Sequence, residues 1–244
     1  MNISGSGSIA AGEYNEKISI SGSGRLKGNV RCASFSASGS AVGEGDLVCM
    51  EKASVSGSVR FAGGLTAGEL HVSGSLNVGG ACTVGDKIRV SGSMDCGGAL
   101  RCGILEASGS VRAELGIEAE EIRISGAVES SGLMNAEKVD FELGNRRSRL
   151  GSIGGADIRI YNGTASKSLF RLPLLSKIVG ASTPCGLQVA ESVEGDVIAI
   201  ENVTAPLVVG RVVAIGAGCH IDLVQYTEQI EIHESARVEK IEKV

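Results

Sequence analysis

A Ser-Gly-Ser tripeptide that returns at nearly constant spacing is the feature that most constrains the fold of this 244-residue chain. The eighth copy reads Ser-Gly-Ala, and successive glycines are 17, 17, 18, 17, 18, 17 and 17 residues apart. A constant interval over eight copies indicates one structural unit repeated along the chain. The glycines in question are Gly5, Gly22, Gly39, Gly57, Gly74, Gly92, Gly109 and Gly126.

Each repeat also contains three triplets in which two apolar residues flank a residue that is usually polar. Leu76 and Val78, for example, flank Asn77, and Leu70 and Val72 flank His71. This pattern of period two is typical of a strand with one buried face, and glycine marks the sharp bends between strands. The sequence therefore predicts an all-β fold, a triangular β-helix (solenoid) of 17–18-residue coils with three short strands per coil. Equivalent side chains of successive coils are expected to form ladders with a spacing of about 4.8 Å.

The regularity divides the chain into three parts. Residues 1–160 are predicted to form the regular β-helix, and residues 161–186 lose the alternation and contain two of the three prolines. Residues 187–244 are predicted to form a second β-helical segment, which either stands alone or continues the first one beyond a surface insertion.

Several apolar pairs in this third part are expected to point inward. Among them are Val197/Ala199, Leu207/Val209 and Ile221/Leu223. The final stretch, residues 233–244, is polar and is expected to fray.

Composition excludes several functional classes. The net charge of −5 argues against a general nucleic-acid binder. The first residues lack the pattern of a signal peptide, and no apolar run reaches the roughly 18 residues of a spanning helix. The seven cysteines include no CxxC motif, so a reducing compartment is expected. These observations predict a cytoplasmic protein.

No catalytic, cofactor or metal site is predicted. Cys32, Cys49 and Cys102 share a repeat position that holds Ala or Val in other coils, which indicates a small inward position. The histidines are His71, His220 and His233, and their spacing does not suit zinc binding from neighbouring coils. We therefore expect a protein that is not an enzyme and has no cofactor.

A basic, apolar stretch follows the regular repeats. Residues 144–180 contain seven basic residues and one acidic residue, which gives a local charge of +6. Such a segment can settle on an anionic membrane surface, or it can fold back and cap the apolar edge of the solenoid. The residues predicted to contact the membrane are Arg146, Arg147, Arg149, Lys167, Phe170, Arg171 and Lys177.

The ends of a solenoid display unpaired backbone groups and an apolar cross-section. The first coil begins at Ile3, so we expect little cover at this end and stacking on another copy of the chain. The residues predicted to form the polymerisation interface are Ile3, Ile9, Ile18, Ile20, Ile230 and Ile232.

With its Ser-Gly-Ser corners and coils of about 17 residues, the chain resembles the bactofilins, polymer-forming cytoskeletal proteins of bacteria. The similarity covers most of the chain and is strongest over residues 3–140. It implies a right-handed β-helix that polymerises without nucleotide into non-polar filaments, which support cell shape, wall-modifying or motility machinery, often at the membrane.

The chain departs from the common bactofilin pattern. It is longer, it lacks Pro-rich tails and it carries the interruption at 161–186, so it looks closer to the longer relatives found in Gram-positive bacteria. The implied partners are further copies of the chain or a companion bactofilin, with a peripheral position at the inner face of the membrane. The alternatives are a β-helical adaptor or binding module that does not polymerise, and a hexapeptide-type acyltransferase.

Overall fold

A computed structural model describes residues 1–163 and 186–244. In these residues the chain is a β-solenoid of about 13 turns with a spacing of roughly 17 residues, and the strands of successive coils pair in parallel. The fold predicted from the repeat is thus confirmed. Each coil has three walls, named here in chain order. Wall 1 follows the Ser-Gly-Ser corner, as in Ser75–Val78, and wall 2 comes next, as in Cys82–Val84. Wall 3 closes the coil, as in Lys87–Val90.

The first part of the solenoid is built mostly from short strands, one per wall. They are β1 (Asn2–Ile3), β2 (Ser6–Ile9), β3 (Gly12–Ile20), β4 (Ser23–Leu26), β5 (Val30–Ala37), β6 (Ser40–Gly43), β7 (Leu47–Cys49), β8 (Lys52–Val55), β9 (Ser58–Phe61), β10 (Leu65–Ala67), β11 (Glu69–Val72), β12 (Ser75–Val78), β13 (Cys82–Val84), β14 (Lys87–Val90), β15 (Ser93–Cys96), β16 (Leu100–Arg101), β17 (Ile104–Ala107) and β18 (Ser110–Ala113).

Beyond residue 116 the strands lengthen, because most of them continue around a corner from one wall to the next. They are β19 (Ile117–Ile124), β20 (Ala127–Leu143), β21 (Ser148–Asn162), β22 (Leu187–Val189), β23 (Ser192–Ile200), β24 (Val203–Ile215), β25 (His220–Ile232) and β26 (Arg237–Lys243). Three separate short strands per coil therefore describe the first half of the molecule better than the second.

The register is continuous from the first coil to the last. On wall 2 the equivalent outward residues of successive coils form one ladder. It begins with Glu13, which pairs with Arg31, and ends with Gln225, which pairs with Glu242. The same ladder crosses the insertion, since Gly154 in β21 pairs with Glu194 in β23. Residues 187–244 thus stack directly on the coil that ends at Asn162. Residues 164–185, which include most of the predicted irregular segment, lie outside the described residues.

The interior is a single apolar column. Inward side chains from all three walls are buried, and the largest are aromatic rings such as Phe35 and Phe61, which meet edge to face with centroids 5.8 Å apart. The shared position of Cys32 and Cys49 is buried as predicted, and these residues are direct ladder partners. Thiols here fill a narrow position in the core.

Two expectations for the last part of the chain are wrong. Ile198, Ile200 and Val208 point into the core, so the pairs Val197/Ala199 and Leu207/Val209 occupy the outward positions. Both alternate positions are apolar here, and pairing with the preceding coil decides which set turns inward. Ile198 and Ile200 pair with the buried Ile158 and Ile160, and Val208 pairs with the buried Val193. In the third pair, Ile221 is buried and Leu223 is only partly buried.

The second wrong expectation is that the polar final stretch frays. Arg237–Lys243 forms β26, which pairs with β25 through six residue pairs, instead of fraying. A polar strand is stable here because the ladder of the preceding coil supplies its backbone partners.

Candidate functional site

The first coil has an open strand edge. Strands β1 and β2 pair with β3 and β4 on one side and with no other strand of the described chain. The N–H groups of Ser23 and Lys27 donate to the carbonyl oxygens of Gly5 and Ile9, at 2.9 and 2.8 Å. In a strand the N–H and C=O of one residue point to the same side, and those of the next residue point to the other side. The N–H and C=O groups of the intervening Ser6 and Ser8 therefore face away from the second coil. No described strand pairs with these groups.

The side chains along this edge carry no charge. From Asn2 to Gly12 the sequence contains only small polar, glycine, alanine and isoleucine residues, and the first charged side chain is that of Glu13. Proteins commonly protect open strand edges with charges, especially lysine. That protection is missing from the first eleven positions of this edge.

Tyr14 partly covers the end of the core. It lies at the ladder position that Cys32 and Cys49 occupy in the next two coils, and it packs against the core with its side chain half-buried. Its hydroxyl donates to the carbonyl oxygen of Ala10 at 2.9 Å. A large ring replaces a small side chain here, which gives this end an apolar surface with one satisfied polar group. A single tyrosine at a position of small residues gives no repeated signal, so the sequence pattern does not predict this role.

The structure separates the predicted interface residues into two groups. Ile9, Ile18 and Ile20 are fully buried in the first two coils, whereas Ile3 is only partly buried. Ile230 and Ile232 are partly buried on wall 3, near the other end of the solenoid. With about 12 coil spacings between the ends, the two groups are roughly 60 Å apart.

The last coil ends in a charged strand. In β26 five of seven residues are charged, namely Arg237, Glu239, Lys240, Glu242 and Lys243. This strand pairs with β25 on one side, and no other described strand pairs with it. Val238 is partly buried and Ile241 is 48% exposed, so the apolar interior reaches the surface at this end.

A basic corner lies between the two ends. The loop Gly144–Arg147 connects wall 3 of one coil to wall 1 of the next, at the corner that carries Ser-Gly-Ser in earlier coils. Arg146 and Arg147 are exposed, and neither forms an ion pair within the described residues. Arg149 is also exposed but lies 3.6 Å from Glu129. The other predicted membrane contacts, Lys167, Phe170, Arg171 and Lys177, lie outside the described residues.

The corner between walls 2 and 3 carries both signs of charge. Exposed acidic residues without an ion pair to a described residue occur there in five coils, namely Glu51, Asp86, Glu120, Glu137 and Asp196. A lysine directly follows three of them, at Lys52, Lys87 and Lys138. The corner at Arg146 and Arg147 differs because it is basic without acidic neighbours in the loop.

Wall 3 carries an ion-pair network in its middle coils. Glu106 accepts from Lys87 at 2.6 Å, from Arg89 at 3.1 Å and from Arg123 at 3.0 Å. The ammonium of Lys87 and the guanidinium of Arg89 lower the pKa of the Glu106 carboxyl. These contacts link three successive coils and have a structural role.

The described part of the chain offers no cluster of metal ligands and no helix that could span a bilayer. Six described cysteines are free thiols, and burial raises the pKa of Cys102 to about 12. The features left for a functional site are the open strand edges at the two ends and the charged corners.

Comparison with known proteins gives a limited match. No protein-family model and no solved structure matches the chain. The uncharacterized protein YhbE of Bacillus subtilis (strain 168) is 33% identical over 114 residues, which are 47% of this chain and 44% of YhbE. The chain therefore matches less than half the length of that relative. Together, the comparisons and the structure establish a β-solenoid that is similar over part of its length to an uncharacterized protein.

Proposed function

We propose that this protein is a cytoplasmic scaffold whose solenoids stack end to end into filaments without nucleotide. Such filaments would support cell shape, wall or motility machinery, as the resemblance to bactofilins implies. The observation that carries the proposal is the pair of open ends, each combining an unpaired strand edge with exposed or partly buried apolar side chains.

The same two contributions, apolar burial and backbone pairing, would favour association at both ends. A second copy placed over Ile3 and Tyr14 would bury apolar surface worth about 25 cal/mol per Å². It would also supply partners for the backbone groups that a strand edge leaves unpaired. In a solenoid both gains recur at every joint, so association extends into a rod instead of stopping at a compact oligomer.

Blocking the first coil tests this proposal. The double variant Ser6→Pro/Ser8→Pro removes two N–H groups that face away from the second coil, so the hydrogen bonds within the solenoid are retained. The matched control, Ser6→Ala/Ser8→Ala, keeps both N–H groups. We expect filaments in negative-stain electron micrographs of the wild type and of the Ala control, without added nucleotide, and only short species for the Pro variant.

Two results would oppose the proposal. A monodisperse wild-type protein over a wide concentration range would favour the adaptor that does not polymerise. Filaments of unchanged length in the Pro variant, with an unchanged circular dichroism spectrum, would exclude the first coil from the joint.

We also propose that the scaffold contacts anionic membranes through the basic corner. Arg146 and Arg147 are exposed and without ion pairs in the described residues, and each basic residue near an anionic surface contributes about 1 kcal/mol. The sequence that follows this coil contains Lys167, Arg171 and Lys177, and no acidic residue lies between Lys167 and Lys177.

Vesicle flotation separates this corner from general basic charge. Arg146→Glu/Arg147→Glu should reduce binding to phosphatidylglycerol vesicles at least tenfold. The charge-matched control Arg31→Glu/Arg60→Glu changes two other exposed arginines and should bind like the wild type. Equal losses in both variants, or no wild-type binding beyond that to phosphatidylcholine, would contradict membrane docking at this corner.

A further inference from the structure

We propose that the groove beside Arg146, on the corner between walls 3 and 1, binds a phosphodiester that carries a neutral hydroxyl group. The headgroup of phosphatidylglycerol has this chemistry. The inference rests on the membrane contact proposed above and names the chemical class that the basic corner would recognise. The groups that would bind the ligand are one guanidinium, a row of serine hydroxyls and one backbone carbonyl.

The first step is that the loop Gly144–Arg147 interrupts the regular corner. Ile124 pairs with Phe141 on wall 3, and Glu129 pairs with Arg149 on wall 1. Four residues join Ile124 to Glu129, whereas seven residues join Phe141 to Arg149. The corner is therefore longer in this coil than in the coil below it.

The second step is that the longer loop leaves one carbonyl oxygen of the corner without its usual partner. In the coil below, the carbonyl oxygen of Gly109 accepts from the N–H group of Ala127 at 3.0 Å, and a Cβ at Gly126 would overlap that oxygen. Among the described residues, no N–H group donates to the carbonyl oxygen of Gly126. A Cβ at Gly144 would lie 3.7 Å from this oxygen. The oxygen can therefore accept a hydrogen bond from a ligand.

The third step is that Gly126 lines a groove that ends at one arginine. The groove has a volume of about 560 Å³, and Asn145 and Arg146 lie in its lining. Serine side chains continue the lining along the corner, and three of them are those of Ser108, Ser110 and Ser125. These three hydroxyls form no hydrogen bond with a described residue. The groove thus offers polar groups that the fold itself does not use.

Arg146 supplies the charge that would bind the phosphate. It is exposed and forms no ion pair within residues 1–163 and 186–244. A guanidinium can donate two parallel hydrogen bonds to the oxygens of a phosphate group, and such charge-assisted bonds are strong. The serine hydroxyls can donate to the same group, because a hydroxyl is both a donor and an acceptor. These groups together favour an anionic phosphodiester.

The carbonyl oxygen of Gly126 favours a ligand that also carries a hydrogen-bond donor. A hydroxyl or an ammonium group could donate to it. An ammonium would lie close to Arg146 and Arg147 and would be repelled by their charges, whereas a hydroxyl is neutral. The glycerol of phosphatidylglycerol therefore fits the groove better than the serine of phosphatidylserine.

Two single variants that remove equal charge test the role of Arg146. Arg146 lines the groove, and the adjacent Arg147 does not. In flotation with phosphatidylglycerol vesicles, Arg147→Gln should lose the general contribution of one charge. That contribution is about fivefold, from about 1 kcal/mol per basic residue. Arg146→Gln should lose at least about twentyfold, because it also removes the hydrogen bonds to the phosphate.

Filling the groove tests its shape without a change of charge. Ser108→Leu/Ser125→Leu should weaken binding to phosphatidylglycerol vesicles at least tenfold. The matched control Ser56→Leu/Ser73→Leu adds the same side chains at exposed positions of the same corner, several coils away, and should bind like the wild type. Circular dichroism spectra of both variants should match that of the wild type.

Lipid composition tests the selectivity for a hydroxyl. Vesicles with equal fractions of phosphatidylglycerol or phosphatidylserine present equal charge, and we expect at least tenfold tighter binding to the first. Glycerophosphoglycerol, the same headgroup without acyl chains, should compete with the phosphatidylglycerol vesicles, whereas glycerol should not.

The outcomes separate this inference from the proposed membrane contact. Equal binding to the two kinds of vesicle, or equal losses for Arg146→Gln and Arg147→Gln, would overturn the groove site and leave the membrane contact intact. A wild type that binds neither kind of vesicle, but binds glycerophosphoglycerol in a way that Ser108→Leu/Ser125→Leu abolishes, would support a site for a soluble phosphodiester and contradict the membrane contact. No binding of vesicles or of glycerophosphoglycerol would overturn both.

Discussion

The carbonyl oxygen of Gly57 lies where a Cβ of Gly74 would have to be. The two glycines occupy the same corner in successive coils, and any side chain at position 74 would overlap that oxygen. Gly5 has the same place in the first coil, but nothing lies within 4 Å of its Cβ position. The Ser-Gly-Ser repeat is thus a requirement for close stacking at one corner.

Gly74→Ala should therefore destabilise the solenoid by about 1–3 kcal/mol or more, as overpacking does. Gly5→Ala, the matched control, should leave the unfolding free energy within about 0.5 kcal/mol of the wild type. Urea unfolding followed by circular dichroism measures both. Equal effects at the two positions would show that glycine is retained for reasons other than the approach of the preceding coil.

Glu106 should make the middle coils sensitive to acid. Its pKa is lowered by Lys87 and Arg89, so its ion pairs stabilise the fold at neutral pH. For a carboxyl whose folded-state pKa is below the unfolded value, this stability is lost as the pH falls through the folded-state pKa. Thermal unfolding between pH 7 and pH 3 should show a shallower acid limb for Glu106→Gln than for the wild type. Parallel curves would exclude this carboxyl as a source of the acid sensitivity.

Tyr161 should lose stability when its hydroxyl is removed. The hydroxyl donates to Asp140 Oδ1 at 2.7 Å, and burial together with this carboxylate raises the pKa of Tyr161 above its usual range. Tyr161→Phe should cost about 1.5–3 kcal/mol, as expected for a hydrogen bond to a charged group. A double-mutant cycle with Asp140→Asn, read by chemical unfolding, isolates the pair. A coupling energy of zero would mean that the two side chains act independently.

Cys49 should tolerate valine and resist leucine. Its position in the ladder is occupied by Ala67 in the next coil and by Val84 in the one after, so a β-branched side chain fits. Cys49→Val should cost less than about 1.5 kcal/mol, whereas Cys49→Leu should cost about 1–3 kcal/mol through overpacking. Melting temperatures of the two variants give the comparison. A leucine variant as stable as the valine variant would reveal unfilled space in this part of the core.

The fold of the first eight coils follows from the sequence because each coil repeats two independent signals. Glycine at the corner fixes the coil length, and triplets such as Leu76–Val78 fix which side chains turn inward. Beyond Gly126 the corner signal changes position. Gly155, Gly195 and Gly210 are ladder partners between walls 2 and 3, and a Cβ at each would approach the backbone of the preceding coil. A search for Ser-Gly-Ser alone does not detect this second glycine ladder.

The candidate site was less predictable, because it depends on what a residue faces and not on its type. Ile18 and Ile20 are apolar residues of the first coil, yet their side chains point into the core and are buried, and Ile20 pairs with Ile3 of β1. The charges of β26 are visible in the letters RVEKIEK, but only the structure places this strand in the last coil. Sequence patterns report side-chain direction well where polar and apolar residues alternate, and poorly where a strand is charged throughout or apolar throughout.

The junction between Asn162 and Gly186 has a broader consequence. Ile160 and Ile200 are direct partners although 39 residues lie between them in the chain. The ladder of buried residues on wall 3 therefore continues without a break where the sequence departs from the repeat. Segments of quite different length and chemistry could be exchanged at this point while the rod kept its pitch. The solenoid therefore separates its own geometry from the chemistry of the segment that it carries at this point.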